Sequence, residues 1–237
     1  MLKAIIFDCD GVLVDTERDG HRVSFNQAFS DIGLNVRWDV ELYGTLLRVA
    51  GGKERIRSYF DAAGWPAAAG GDRDGFVADL HRRKTDIFTD IIATGRLPLR
   101  PGILRIVDEC LAAGVRLGVC TTSNAKSVSG VLDLMGPERK KNFEFVLAGD
   151  VVSKKKPDPE IYELAKSRLG LPPNACLVIE DSRNGLLAAR AAGLPCLITT
   201  SAYTKDENFA GAVRLVPELG DPPNPIIALA DMQALFF

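Results

Sequence analysis

Histidine and paired cysteine are scarce in this chain. His21 and His81 are the only histidines, and the five cysteines (Cys9, Cys110, Cys120, Cys176, Cys196) include no C-x-x-C pair, so a zinc centre of the Cys/His kind has no ligands to draw on. An odd number of thiols, several inside apolar strand-like runs, points to a reducing compartment and buried free cysteines rather than a disulfide framework. Charge of one sign is lacking too. With 29 Lys and Arg against 31 Asp and Glu, the formal net charge is −2; a chain with no basic field is expected to bind neither nucleic acid nor an anionic membrane surface. No apolar stretch reaches membrane length, and Met1-Leu2-Lys3 leads straight into Ala4-Ile5-Ile6-Phe7 with no apolar leader and no Arg/Ser-rich transit stretch. The expectation is a cytosolic protein, or one whose targeting peptide lies outside this sequence. Internal repeats and low-complexity tracts are absent as well.

What is present suits an ordinary globular chain: 237 residues, 46% hydrophobic and 25% charged, enough for a substantial core and a smaller appended unit. Short aliphatic and β-branched runs recur at Ala4–Phe7, Val115–Cys120, Phe145–Leu147, Cys176–Ile179, Cys196–Thr199 and Val213–Val216. Helical patterns lie between most of them, at Gly102–Ala113, Ala125–Met135, Pro159–Leu169 and Arg183–Ala192. Alternation of this kind predicts an α/β fold, a doubly wound, Rossmann-like parallel sheet covered on both faces, with its ligand beyond the carboxyl ends of the strands. Residues 16–95 break the rhythm. They show helical spacing (Phe25, Phe29, Ile32; Ile56, Tyr59, Phe60; Phe76, Leu80, Ile87) and no convincing strand, which predicts a helical cap domain inserted into a core made of residues 1–15 and 96–237.

Four short segments at predicted strand ends carry chemistry. Asp8-Cys9-Asp10-Gly11 follows the first strand, and the two-residue period points both carboxylates the same way, so one can attack while the other moves a proton. Thr121-Thr122-Ser123-Asn124 offers hydroxyls and the N–H groups of a helix start for a phosphate oxygen. Lys154-Lys155-Lys156-Pro157-Asp158-Pro159 pins a cation between prolines, a fixed counter-charge for a phosphoryl group. Glu180-Asp181-Ser182 ends another strand with hard oxygen donors, which with Asp8 and the main-chain carbonyl of Asp10 would suit magnesium. Taken singly, these are also what a charged turn, a plain helix cap and a solvated basic loop look like.

In the inserted segment, Gly51-Gly52-Lys53-Glu54-Arg55 opens a helix whose N–H groups and neighbouring cations form an anion site. It is not a P-loop, because Leu47 stands where the first glycine belongs. His81-Arg82-Arg83-Lys84 adds a second basic cluster and Arg100 lies at the return crossing. For each of these a solvated helix face is the plain alternative, and it is the preferred one for Arg57 and Arg83. Extra cations in a net acidic chain suggest a substrate anionic at both ends.

Together, Asp8-x-Asp10, Thr121, Lys156-Pro157 and Glu180-Asp181 resemble the four motifs of the haloacid dehalogenase-like hydrolase superfamily, and the helical insertion resembles its C1-type cap. A true dehalogenase would lack the second aspartate, so Asp10 favours phosphoryl chemistry. Gly51 to Ile56, Leu80-His81-x-x-Lys84-Thr85, Leu99-Arg100-Pro101-Gly102 and the segment near Tyr203 are similar to CbbY-type phosphatases; Phe7 to Glu17, Trp38-Asp39-Val40, Gly136 to Arg139 and Gly220 to Pro223 are similar to their plant and algal branch. That resemblance implies Mg2+-dependent hydrolysis of xylulose-1,5-bisphosphate, a misfire product and inhibitor of Rubisco in carbon fixation, by a monomer in the chloroplast stroma if the source is a plant or alga. It implies Asp8 as nucleophile and metal ligand, Asp10 as acid/base and ligand, Asp181 as third ligand with Glu180 beside it, and Thr121, Thr122, Ser123 and Lys156 on the transferring group. Glu17, His21, Gly51, Gly52, Lys53, Arg55, His81, Lys84 and Arg100 would meet the sugar or its distal phosphate as the cap closes. A β-phosphoglucomutase-like mutase and a non-catalytic sugar-phosphate sensor remain as alternatives.

Overall fold

The computed structural model describes residues 1–235, and the chain divides into two compact units, Met1–Asp15 with the chain from Pro98 onward, and Thr16–Leu97. The second unit thus extends two residues beyond the expected Gly95.

The first unit is built on a six-stranded sheet: β1 (Ala4–Phe7), β2 (Arg116–Thr121), β3 (Phe143–Ala148), β4 (Cys176–Glu180), β5 (Cys196–Thr199) and β6 (Arg214–Val216), in spatial order β3-β2-β1-β4-β5-β6. Every pairing is parallel. Parallel strands need crossovers, and these contain α5 (Ile103–Ala112), α6 (Ala125–Asp133), α7 (Pro137–Lys140), α8 (Glu160–Leu169) and α9 (Arg183–Ala191), with α10 (Leu229–Ala234) following β6. Alternate residues of the strands pack against α8 and α9, among them Ala4, Ile6, Cys176, Val178, Cys196 and Ile198 with Ile161, Tyr162, Ala165 and Leu186. Their neighbours Ile5, Phe7, Leu177, Ile179 and Leu197 are just as buried and face the other way by the strand period. All five cysteines are buried and free; burial pushes the Cys110 thiol up to about 12.

From β1 the chain proceeds to β2 on one side, whereas β4 lies on the other. The strand order therefore reverses at β1, and the crevice outside its carboxyl end is where this class of sheet takes its ligand.

The second unit holds α1 (Arg22–Asp31), α2 (Val40–Leu46), α3 (Gly52–Ala63) and α4 (Arg73–Ala93), with a wide helical turn Glu17–His21 leading into α1. Asp39 caps α2 by accepting from the Leu42 N–H at 2.8 Å, and Asp72 caps α4 by accepting from Gly75 at 2.8 Å. The core of this unit is aromatic. Trp38 is wholly buried, with ring centroids of Phe25 and Phe29 at 4.7 and 4.9 Å. On α4 the inward residue is Phe88, not Ile87, because the 3.6-residue period carries the buried stripe through Val77, Leu80, Lys84 and Phe88.

Gly118 is paired with Phe145 across β2 and β3, and a Cβ there would lie 2.3 Å from the Phe145 ring. Gly118→Ala is expected to destabilise the protein by about 1–3 kcal/mol through overpacking, seen as a lower urea midpoint at unchanged slope.

Candidate active site

Strands β1, β2 and β4 deliver their carboxyl ends side by side, and the sequence places a polar group at each. Asp8 follows β1 with its N–H bonded to Ile179 O at 2.9 Å, Thr121 closes β2, and Glu180 closes β4. Lys156 arrives from the loop between β3 and α8. Its ammonium is 5% exposed and donates to Asp8 Oδ1 at 2.7 Å, Cys120 O at 2.8 Å and Glu180 Oε1 at 2.5 Å. An ammonium has three N–H donors, so each has an acceptor here.

Asp10 sits in the tight turn that follows, where Gly11 donates to Val14 O at 2.8 Å and Ser123 Oγ donates to Asp10 Oδ2. Thr121 Oγ1 accepts from Ser123 N at 3.1 Å, and Asn124 caps α6 by accepting from Lys126 N at 2.9 Å. The Thr121–Asn124 segment is thus a helix cap that also holds Asp10 through Ser123. The expected helix cap is therefore present, with the Ser123–Asp10 hydrogen bond added to it.

Two glycines make room for the carboxylates. A Cβ on Gly11 would meet Asp181 Oδ2 at 2.1 Å, and φ there is +80°, a left-handed conformation that glycine adopts without strain. A Cβ on Gly185, in the first turn of α9, would fall 2.0 Å from Glu180 Cδ.

Asp8, Glu180 and Asp181 each bring a carboxylate oxygen within 4.8 Å of the others, all buried, and among the described residues they form the one acidic group near enough to share an ion. Glu180, however, is engaged on both oxygens. Its Oε1 accepts from Lys156 and from Tyr162 Oη at 2.5 Å, and its Oε2 accepts from Asp181 N at 3.3 Å and Ser182 Oγ at 3.5 Å. Glu180 is thus the partner of Lys156 and stands, as expected, beside Asp8 and Asp181 in the acidic group. An all-oxygen set from Asp8, Asp181 and the Asp10 main chain fits a small hard divalent cation.

The charges explain why a cation suits this place. Burial raises the Asp8 carboxyl well above the ordinary range; Lys156 opposes that, while Glu180 and Asp10 reinforce it. Burial works to lower the Lys156 ammonium, but Asp8 and Glu180 outweigh it and hold it charged. Four carboxyl groups (Asp8, Asp10, Glu180 and Asp181) therefore share the cluster with one ammonium, an excess of negative charge. Cys9 is buried between the aspartates, and desolvation keeps its thiol protonated.

The helical unit gathers several of its predicted residues by itself. Tyr43 Oη donates to Glu17 Oε2 at 2.5 Å and accepts from Arg55 Nη1 at 3.0 Å; Arg55 also donates to Leu46 O at 3.2 Å and lies 5.3 Å over the Tyr43 ring. His21 Nδ1 and Lys84 Nζ are 2.5 Å apart, with the ammonium 4.9 Å from both the Phe25 and Phe88 ring centres. His81 packs on the start of α3, where a Cβ on Gly52 would meet its ring at 2.5 Å, and the Glu54 carboxylate folds back over Gly51. Lys53 and Thr122 are half-buried. Arg57 pairs with Asp74, and Arg83 is exposed.

The Arg100 guanidinium donates to the carbonyls of Gly11, Thr199, Thr200 and Pro217, so it clamps the loops after β1, β5 and β6. Sequence reasoning missed Tyr43 and Tyr162. The only available signal was a tyrosine at an inward helical position, where the phenol tip needs a polar partner.

A family model described as haloacid dehalogenase-like hydrolase matches residues 2–193. A CBBY-like protein of Arabidopsis thaliana is 52% identical over 232 residues, spanning 96% of this chain and 72% of that protein. The crystal structure of CbbY from Rhodobacter sphaeroides with phosphate superposes with a TM-score of 0.88 at 39% identity, over 98% of this chain and 100% of that one. A variant of the same protein in complex with xylulose-(1,5)bisphosphate gives 0.84 at 40% identity, over 92% and 95%.

Removing the ammonium should expose the electrostatics directly. In metal-free Lys156→Met, Asp8 is a buried carboxyl without its counter-ion, so its folded-state pKa lies above the unfolded one. Stability is then retained below the unfolded carboxyl range and lost as pH rises through the raised value. The variant should be destabilised by about 3–5 kcal/mol at pH 8, with the deficit shrinking toward pH 5. Urea unfolding across that range checks it, and a pH-independent deficit would contradict it.

Proposed function

The chain belongs to the haloacid dehalogenase-like hydrolase family, and from that membership we propose that it is a magnesium-dependent sugar-phosphate phosphatase working through an aspartyl-phosphate on Asp8. The observation that carries this reading is the pairing at the strand-order reversal. Asp8 is held on a buried ammonium while Asp10, two residues on, is held by a separate hydroxyl, which gives one carboxylate to attack and another to transfer protons.

In the first step an Asp8 oxygen attacks the phosphorus in line as the sugar oxygen departs, taking the proton of Asp10. In the second, Asp10 removes a proton from water, whose oxygen attacks the same phosphorus and releases Asp8 and inorganic phosphate. Lys156 stays charged against Asp8 throughout and offsets the charge spread over the phosphoryl oxygens. Asp8, Asp181 and the Asp10 main-chain carbonyl would hold magnesium, which supplies positive charge between an anionic nucleophile and an anionic ester.

Xylulose-1,5-bisphosphate is the substrate we infer. The support is the similar CbbY variant described in complex with that sugar, together with the motifs shared with its family.

Xylulose-1,5-bisphosphate, ribulose-1,5-bisphosphate, phosphoglycolate and glucose 1-phosphate should be offered in parallel. Phosphate is expected to be released fastest from the first, leaving xylulose 5-phosphate, with ribulose-1,5-bisphosphate spared. Chelation should stop turnover and added magnesium restore it, and Asp8→Asn should abolish it. Glucose 6-phosphate formed from glucose 1-phosphate would instead identify a mutase.

A further inference from the structure

Glu180 is 1% exposed and Tyr162 0%, so neither can exchange a lost partner for water, and the hydrogen bond between them has to be accounted for within the protein. Tyr162 touches the site twice. Its hydroxyl donates to the same Oε1 that receives Lys156, and its ring lies under the Lys156 ammonium at 5.0 Å. Burial first, and the Glu180 charge second, keep the phenol protonated, so it acts only as a donor toward Glu180.

Glu180 and Asp8 compete for one ammonium. A carboxylate oxygen that also accepts from a phenol carries less charge toward its second donor, so it pulls that donor less strongly. On Glu180 the effect is to draw the Lys156 ammonium less strongly away from Asp8. Gly185 backs directly onto the Glu180 carboxylate, where a Cβ would fall 2.0 Å from Cδ, so the glutamate has no room to move toward α9.

We propose that Tyr162 is a positioning residue for catalysis: through Glu180 it sets where the Lys156 ammonium stands relative to the attacking carboxylate of Asp8. This deepens the phosphatase reading of the site and rests on it. A tyrosine in this place makes α8 part of the catalytic apparatus although Tyr162 touches neither Asp8 nor Asp10 in the hydrogen-bond network. The effect belongs to the transition state, where charge spreads over the phosphoryl oxygens and the ammonium must follow it.

Tyr162→Phe should be assayed on the phosphate ester that the wild type turns over fastest, alone and combined with Glu180→Gln as a double-mutant cycle. The expected result is a kcat lower by about tenfold with KM within about twofold, and a further change of less than about twofold when Glu180 is already Gln. A wild-type kcat in Tyr162→Phe overturns the proposal, as does an equal fold loss in both backgrounds, which would mean that the hydroxyl acts independently of Glu180. Orthovanadate and inorganic phosphate binding supply a readout that partial unfolding does not move: the ratio of their dissociation constants should rise by about tenfold in Tyr162→Phe, and an unchanged ratio counts against positioning. A wild type that hydrolyses no phosphate monoester would defeat the phosphatase reading instead, while the binding ratio still decides the role of Tyr162.

Discussion

A single buried ammonium organises the catalytic unit. Lys156 comes from a loop between β3 and α8 and bonds to Asp8 after β1, to the Cys120 carbonyl in β2 and to Glu180 at the end of β4. Three neighbouring strands are thereby tied at their carboxyl ends by one charge. Such an arrangement tolerates little change, because removing the cation strands buried carboxylates without a counter-charge, whereas removing a carboxylate leaves an N–H without an acceptor.

The surroundings are shaped to keep that charge in place. Gly11 and Gly185 bring backbone against the carboxylates of Asp181 and Glu180 where any side chain would collide. Tyr162 closes the cluster from α8, and Ser182 both contacts Glu180 and caps α9 by accepting from Gly185 at 3.1 Å. Asp10 is anchored differently, by Ser123 from the cap of α6. The two aspartates therefore have independent supports.

The helical unit follows another logic. Its core is a cluster of aromatic rings around Trp38, and its buried charges are placed at the edge of that cluster in short relays, Glu17–Tyr43–Arg55 and His21–Lys84. Aromatic faces lower the cost of burying a cation, and this is how Lys84 can sit between Phe25 and Phe88. His21, Arg55 and Lys84 are consequently part of its interior and not a solvated helix face, whereas Arg57 and Arg83 lie at the surface.

Much of this could be read without coordinates. Alternating runs identified all six strands and the four main crossover helices, since strand period and helix period are local properties of the chain. That Asp8, Lys156, Glu180 and Asp181 lie at or near strand ends was legible because each follows an apolar run closely or stands beside a proline. Partnership was not legible. That Glu180 meets a lysine, that Arg100 meets a row of carbonyls and that Tyr162 bonds to Glu180 depend on which distant segments converge. Spacing within one segment says nothing about where a side chain from another will arrive, and for a buried polar group that arrival decides its charge, its bonds and its role.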